Sequence, residues 1–157
     1  MPVTPAILLA RKHGVPHRVL SYTHDPHAIS YGLEAAELLG LAPAQVFKTL
    51  VADVEGVGLA CAVVPVDRQL DLKALADALG GRKAAMALPA AAERATGYIV
   101  GGISPLAQKK ALPVVVDVSA TGYDEVFVSA GRRGLEIALA PAALQLLTRA
   151  TFAAIAR

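Results

Sequence analysis

Two apolar runs joined by four turn residues constrain this chain more than any other feature. Val46-Phe47-Lys48-Thr49-Leu50-Val51-Ala52-Asp53-Val54 has the length and composition of a strand, and Leu59 to Val66 reads as a second, more apolar one. Glu55-Gly56-Val57-Gly58 supplies the turn between them, so the pair predicts a central hairpin and a sheet built outward from it. One residue fits this reading poorly. On strict alternation Lys48 shares a face with Val46, Leu50 and Ala52, an odd place for a cation. Either that face opens on a cleft, or the strand lies at an edge where lysine guards against pairing with other chains. Both readings stand at this level.

The flanking segments supply elements to cover such a sheet. Thr4 before Pro5 is an N-cap with proline at the first helical position, and Gly14 closes a helix over Ala6 to His13. His17 to Thr23 alternates as a strand until His24-Asp25-Pro26-His27 breaks it. Those two histidines have no Cys or His cluster to complete a metal set, and the segment reads as a surface loop. Further helices are predicted over Leu33 to Leu39, stopped by Gly40, over Leu72 to Leu79 behind the cap Asp71, and over Pro89 to Ala95 before Gly97. Short strands are expected at Ala84 to Ala87, Val114 to Asp117, Val126 to Ser129 and Leu135 to Leu139. Pro141 starts a helix reaching about Arg149, with a last helical turn after it. With no repeat or linker, residues 1–157 read as one α+β domain with a mixed, mostly antiparallel central sheet and surrounding helices.

Composition excludes several classes. Hydrophobic residues make up 55% and charged residues 18%, which argues for a real core and against disorder. No uncharged run reaches the ~18 residues of a spanning helix. The N-terminal charges follow the apolar residues, the reverse of a secretory signal, so a cytoplasmic protein with no membrane association is expected. The single cysteine, Cys61, lies in an apolar run and reads as a buried thiol in a reducing compartment. A formal charge of +2 does not announce nucleic-acid binding. Three adjacent pairs, Arg82 with Lys83, Lys109 with Lys110 and Arg132 with Arg133, are nevertheless candidates for a local phosphate-seeking surface.

The chemistry-bearing stretch is Tyr98 to Val116. Paired glycines, Gly101 and Gly102, precede Ser104-Pro105 and the cations Lys109 and Lys110. Glycines let a backbone approach a ligand closely, and successive exposed N–H groups cradle an anion or a carbonyl oxygen. The alternative is a turn with a basic, solvated flank.

Taken together, Val46-Phe47-Lys48-Thr49-Leu50, Pro65, Gln69-Leu70-Asp71-Leu72-Lys73, Thr96-Gly97-Tyr98, Val100-Gly101-Gly102-Ile103-Ser104-Pro105, Gln108-Lys109-Lys110 and Gly131-Arg132-Arg133-Gly134-Leu135 are specific. In this order they closely resemble the YbaK family of free-standing aminoacyl-tRNA deacylases, relatives of the editing domain inserted in bacterial prolyl-tRNA synthetases. The resemblance covers essentially the whole chain. It implies hydrolysis of the ester joining cysteine to the 3′ end of a tRNA, chiefly cysteine misattached to proline tRNA, without cofactor or metal. It implies further that Lys48 is the family's essential lysine and that Gly101 and Gly102 form a backbone floor at the scissile carbonyl. Tyr22, Tyr31, Thr49, Ser104, Ser129 and Glu136 would line the substrate pocket, Tyr31 in place of a common phenylalanine and Glu136 in place of an expected aspartate. Lys109, Lys110, Arg132 and Arg133 would meet phosphates of the acceptor end.

No Ser-His-Asp set surrounds Ser104, so the attacking group is expected to be water or the substrate itself, through the vicinal hydroxyl of the terminal ribose or, foremost, the cysteine thiol. The alternatives are deacylation of another small amino acid, such as alanine on proline tRNA, or a non-catalytic module binding aminoacyl-tRNA or a synthetase. A monomer that visits prolyl-tRNA synthetase transiently is the expected state.

Overall fold

The hairpin anticipated from the sequence is the middle of a five-stranded sheet. The structure, a computed structural model, describes residues 3–28 and 30–157. In chain order the elements are α1 (Pro5–Lys12), β1 (His17–Ser21), α2 (Tyr31–Leu39), β2 (Phe47–Val54), β3 (Gly58–Pro65), α3 (Leu72–Ala78) and β4 (Ala84–Met86). There follow α4 (Pro89–Thr96), β5 (Val114–Asp117), β6 (Val126–Arg132), β7 (Leu135–Leu139), α5 (Pro141–Thr148) and β8 (Thr151–Ala153).

The strands form two sheets rather than one. The larger has the order β4-β2-β3-β5-β8, antiparallel from β4 to β3 and parallel from β3 to β8. The smaller, β1-β7-β6, is antiparallel throughout. One parallel bridge, Val46 with Phe127, links them. The main core lies against both, joining α1 through Ile7, the larger sheet through Phe47, Cys61, Val63 and Val116, and the smaller through Val128, Leu135, Ile137 and Leu139. The opposite face of the larger sheet, Ala52, Val54, Ala62 and Val64, packs on Leu75 of α3.

Two features position the site. β4 pairs only with Ala52–Val54 of β2, and the Ala87 N–H reaches the Val51 carbonyl beyond it. From Phe47 to Leu50, β2 is therefore paired on its β3 side and has no β4 partner on the other. Helix α2 begins two residues earlier than the periodicity implied, because the Ser30 hydroxyl accepts from the Leu33 N–H at 3.3 Å and caps it. That brings Tyr31 and Gly32 into its first turn.

The C-terminus departs from expectation. A helical turn was expected after Arg149; instead β8 runs parallel to β5. Arg149 adopts φ 58°, closing α5 with its N–H on the Gln145 carbonyl, and the chain leaves as a strand. Asp117 then anchors it. The Asp117 carboxylate, 2% exposed, accepts from the Ile155 and Ala156 N–H groups at 3.0 Å each and from the Ser119 N–H at 3.2 Å. Burial alone would raise its pKa, but these backbone bonds hold it below the ordinary carboxylate value.

Asp117→Ala leaves those donors without an acceptor and is expected to cost at least about 3 kcal/mol, measured by urea unfolding. Because the folded pKa is depressed, the anchor's contribution is present above about pH 4 and is lost as pH falls through the folded value. A variant with wild-type stability would contradict this role.

Candidate active site

Beyond the Val46–Phe127 bridge the sheets no longer pair, and a cavity of about 390 Å³ opens there. Lys48 and Thr49 from the open edge of β2 face it on one side, Ser129 of β6 and Glu136 of β7 on the other. Tyr22, Tyr31, Val100 and Gly101 complete its polar end, and Met86, Ala87, Pro89, Ala92 and Ile103 form an apolar wall. Of the two readings of Lys48, the cleft holds: β2 is an inner strand between β4 and β3, and its stretch without a β4 partner borders the cavity.

The cavity's charges are unpaired. Lys48 is half-buried and makes no salt bridge among the described residues. Desolvation lowers its pKa, with Asp67 pulling the other way. Glu136 sits on a buried strand between Leu20 and Ser129, only 6% exposed, and burial pushes its carboxyl up to about 8. Burial thus favours its protonated form. Burial, then the Glu136 charge, pushes the Tyr22 phenol up to about 12, so it stays a hydroxyl donor. Thr49 Oγ1 is buried without a hydrogen-bond partner, while Ser129 Oγ accepts from the Gly131 N–H at 3.1 Å.

The paired glycines divide their roles. The Gly102 N–H donates to the Ile99 carbonyl at 2.8 Å, closing the turn Ile99-Val100-Gly101-Gly102 with Gly101 at φ 92°. That is a type II turn, and its third position requires glycine. Gly101 borders the cavity, and no hydrogen bond engages its N–H among the described residues. Gly102 does not border it. A Cβ there would stand 2.9 Å from Arg132 Cα and from the Arg133 nitrogen, so this glycine serves close packing on the β6–β7 turn. The expected two-donor floor reduces to one donor, because the other is spent on the turn.

Ser104 is also corrected. It is fully buried, its hydroxyl accepts from the Leu106 N–H at 3.1 Å, and it lies outside the cavity. Cys61 is likewise buried and outside, its thiol pushed up to about 12 by desolvation. Neither is placed to attack a ligand there.

The four expected phosphate contacts separate. Arg132 and Arg133 line a second cavity of about 330 Å³ with Gly97, Tyr98, Ile99, Gly102 and Gly131, and Lys109 packs beside Gly97. Lys110 is exposed and lines neither cavity. Arg133 is already committed: Nε and Nη2 both donate to the Val100 carbonyl, at 3.0 and 2.6 Å, and its guanidinium lies 4.7 Å from the Tyr31 ring centre.

Three supports were not legible in the sequence. Glu93 Oε2 accepts from the Val100 N–H at 2.9 Å, and Glu34, 8% exposed, accepts from His24 Nδ1 and the Asp25 N–H at 2.7 Å each. His24 in turn lies 5.5 Å from Tyr31, ring centre to ring centre. No spacing rule joins these pairs; only the fold does.

An unpaired ammonium, a free backbone N–H and a buried acid around one cavity suit a small ester bearing an amine, held by electrostatics rather than by an enzyme nucleophile. The chain matches the aminoacyl-tRNA editing domain family over residues 26–147 and belongs to it. It is 39% identical, over 97% of its length and 92% of the relative's, to an Enterococcus faecalis protein carrying the name Cys-tRNA(Pro)/Cys-tRNA(Cys) deacylase EbsC. It is 33% identical, over 80% of its length and 75% of the relative's, to the Multifunctional Ser/Thr-tRNA deacylase ProXp-y of Escherichia coli. Among solved structures, one described as a trans-editing enzyme for prolyl tRNA synthetase superposes with TM-score 0.80 at 25% identity, covering 99% of both chains.

The raised Glu136 pKa has a testable sign. Between about pH 4.5 and about 8 the folded protein holds a proton that the unfolded chain releases. Stability should therefore fall as pH rises through that window, by up to ~1.4 kcal/mol per unit. Glu136→Gln removes this dependence, so its advantage over wild type should widen from about pH 5 to about pH 9 in thermal unfolding. Parallel curves would contradict the buried, protonated carboxyl.

Proposed function

We propose that this protein is a trans-editing hydrolase that deacylates mischarged Cys-tRNA(Pro), and Cys-tRNA(Cys) as well. The observation that carries the reading is that Lys48 and Gly101, the latter with its N–H unbonded among the described residues, line one cavity in which no hydrogen bond joins a hydroxyl to a base. The family, and the name of the EbsC relative, support it.

In this reading the aminoacyl end enters along the open edge of β2. Lys48 holds the terminal phosphate or the ester carbonyl, and the Gly101 N–H donates to the oxygen that gains charge as the carbonyl is attacked. Glu136 and the Tyr22 hydroxyl meet the substrate's α-amino group, and Thr49, Tyr31 and Ser129 shape the side-chain end. The attacking group comes with the substrate. The cysteine sulfur, as thiolate, bonds to its own carbonyl carbon; the C–O bond to the ribose breaks, and the ribose oxygen takes up a proton. The resulting cyclic thioester is opened by water, giving free cysteine. Isolation of an acyl group on Cys61 or Ser104 would overturn that route.

The remaining cations bind the tRNA. Arg132 and Lys109, with Lys110 further out, meet phosphates of the acceptor end, so binding weakens steeply with salt. The domain works as a monomer, taking tRNA identity from a transient complex with prolyl-tRNA synthetase or reading it loosely. No helix among the described residues is long and apolar enough to cross a membrane.

Release of amino acid from Cys-, Ser- and Ala-tRNA(Pro) tests the reading. Fast release from Cys-tRNA, reduced at least ~100-fold in kcat/KM by Lys48→Ala, is the expected result. Equal release from Ala-tRNA would replace the thiol with bound water, and tRNA binding without release of any amino acid would make the protein a binding module.

A further inference from the structure

Arg133 has no evident need to spend two of its donors on one backbone carbonyl. Its Nε and Nη2 nevertheless both reach the Val100 oxygen, at 3.0 and 2.6 Å. The Val100 carbonyl and the Gly101 N–H belong to the same peptide unit. Because that unit is planar and trans, the two groups point in opposite directions. Whatever fixes the carbonyl therefore fixes the N–H. Arg133 lines the second cavity and not the first, whereas Gly101 lines the first and not the second. Drawing the carbonyl toward Arg133 turns the N–H to the opposite side of the peptide, and Gly101 lines the cavity that Lys48 also lines.

This orientation is not self-enforcing. The central peptide of a β-turn has two arrangements, types I and II, which differ by rotation of this one unit while the turn's closing bond persists. Here that bond is Gly102 N–H to Ile99 carbonyl, and it leaves the Val100–Gly101 peptide free of its own. Three contacts hold the turn around this unit, the first on the peptide before it. Glu93 holds the Val100 N–H at 2.9 Å, Arg133 holds the Val100 carbonyl, and the Tyr31 ring lies under the guanidinium at 4.7 Å. Gly101 is squeezed among them: a Cβ there would stand 2.7 Å from Arg133 Nε and 2.9 Å from the Tyr31 ring. A lysine keeps the charge but not the planar fork that grips one oxygen with two donors.

We propose that Arg133 is a positioning residue that locks the Val100–Gly101 peptide in the type II orientation, aiming the Gly101 N–H at the substrate carbonyl. The inference rests on the deacylase reading, and it removes Arg133 from the set of phosphate ligands. It acts on the reacting oxygen only through the backbone it holds.

The test compares wild type with Arg133→Lys and Arg133→Ala by two readouts. In steady-state deacylation of Cys-tRNA, both variants should lose at least ~10-fold in kcat, with KM changed less than ~3-fold and its salt dependence kept. In amide NMR of the free protein, the Gly101 resonance should move in both variants, and thermal unfolding should remain cooperative. An Arg133→Lys variant with wild-type kcat overturns the inference, as does an Arg133→Ala variant whose only change is a raised KM with a salt slope smaller by about 1, the mark of a lost phosphate contact. If wild type releases no amino acid from any charged tRNA, the deacylase reading falls instead. A Gly101 resonance unmoved by Arg133→Lys then separately overturns the orienting role.

Discussion

The cavity exists because β4 stops short. Its ladder ends at Ala52, the Ala87 N–H adds one bond to Val51, and Phe47 to Leu50 of β2 have a strand partner on the β3 side only. An open edge carries unpaired peptide groups and invites another chain to add itself. Here it is recessed instead, faced by the smaller sheet across a space that holds Lys48, Thr49, Ser129 and Glu136. Among the described residues the sheets are bridged at Val46 with Phe127.

The second wall is a turn whose own hydrogen bond leaves its middle peptide unassigned. Its position comes from outside: Gly102 packs on the backbone of Arg132 and Arg133, Glu93 and Arg133 hold the two polar groups of Val100, and His24 with Glu34 back Tyr31. Side chains from separate parts of the chain thus hold the turn: Glu93 the N–H of its first peptide, Arg133 the carbonyl of its central one. In the proposed reaction such preorganisation matters, because a donor already aimed at the developing charge costs no reorganisation.

Much of this was legible in the sequence, and the limits are instructive. The hairpin, most helix caps and the misfit of Lys48 are local signals, and each matched the structure. The resemblance brought Tyr22, Tyr31, Thr49, Ser129 and Glu136 together, and all of them line the cavity. Gly102 and Ser104 were misplaced because a motif does not say which N–H is already bonded or which hydroxyl turns inward. Arg133 read as a free cation because its acceptor lies 33 residues away. The C-terminal strand was read as helix because its partner, β5, is a tertiary neighbour. Local propensity does not report long-range pairing.

The most direct measurement is an amide and lysine NMR titration with an amide-linked cysteinyl-adenosine, which occupies the site without being cleaved. The account predicts shifts at Lys48, Thr49, Gly101 and Glu136, a downfield move of the Gly101 N–H, and quiet resonances at Cys61 and Ser104. Binding that leaves Gly101 and Lys48 unmoved, or shifts centred on Ser104, would contradict it.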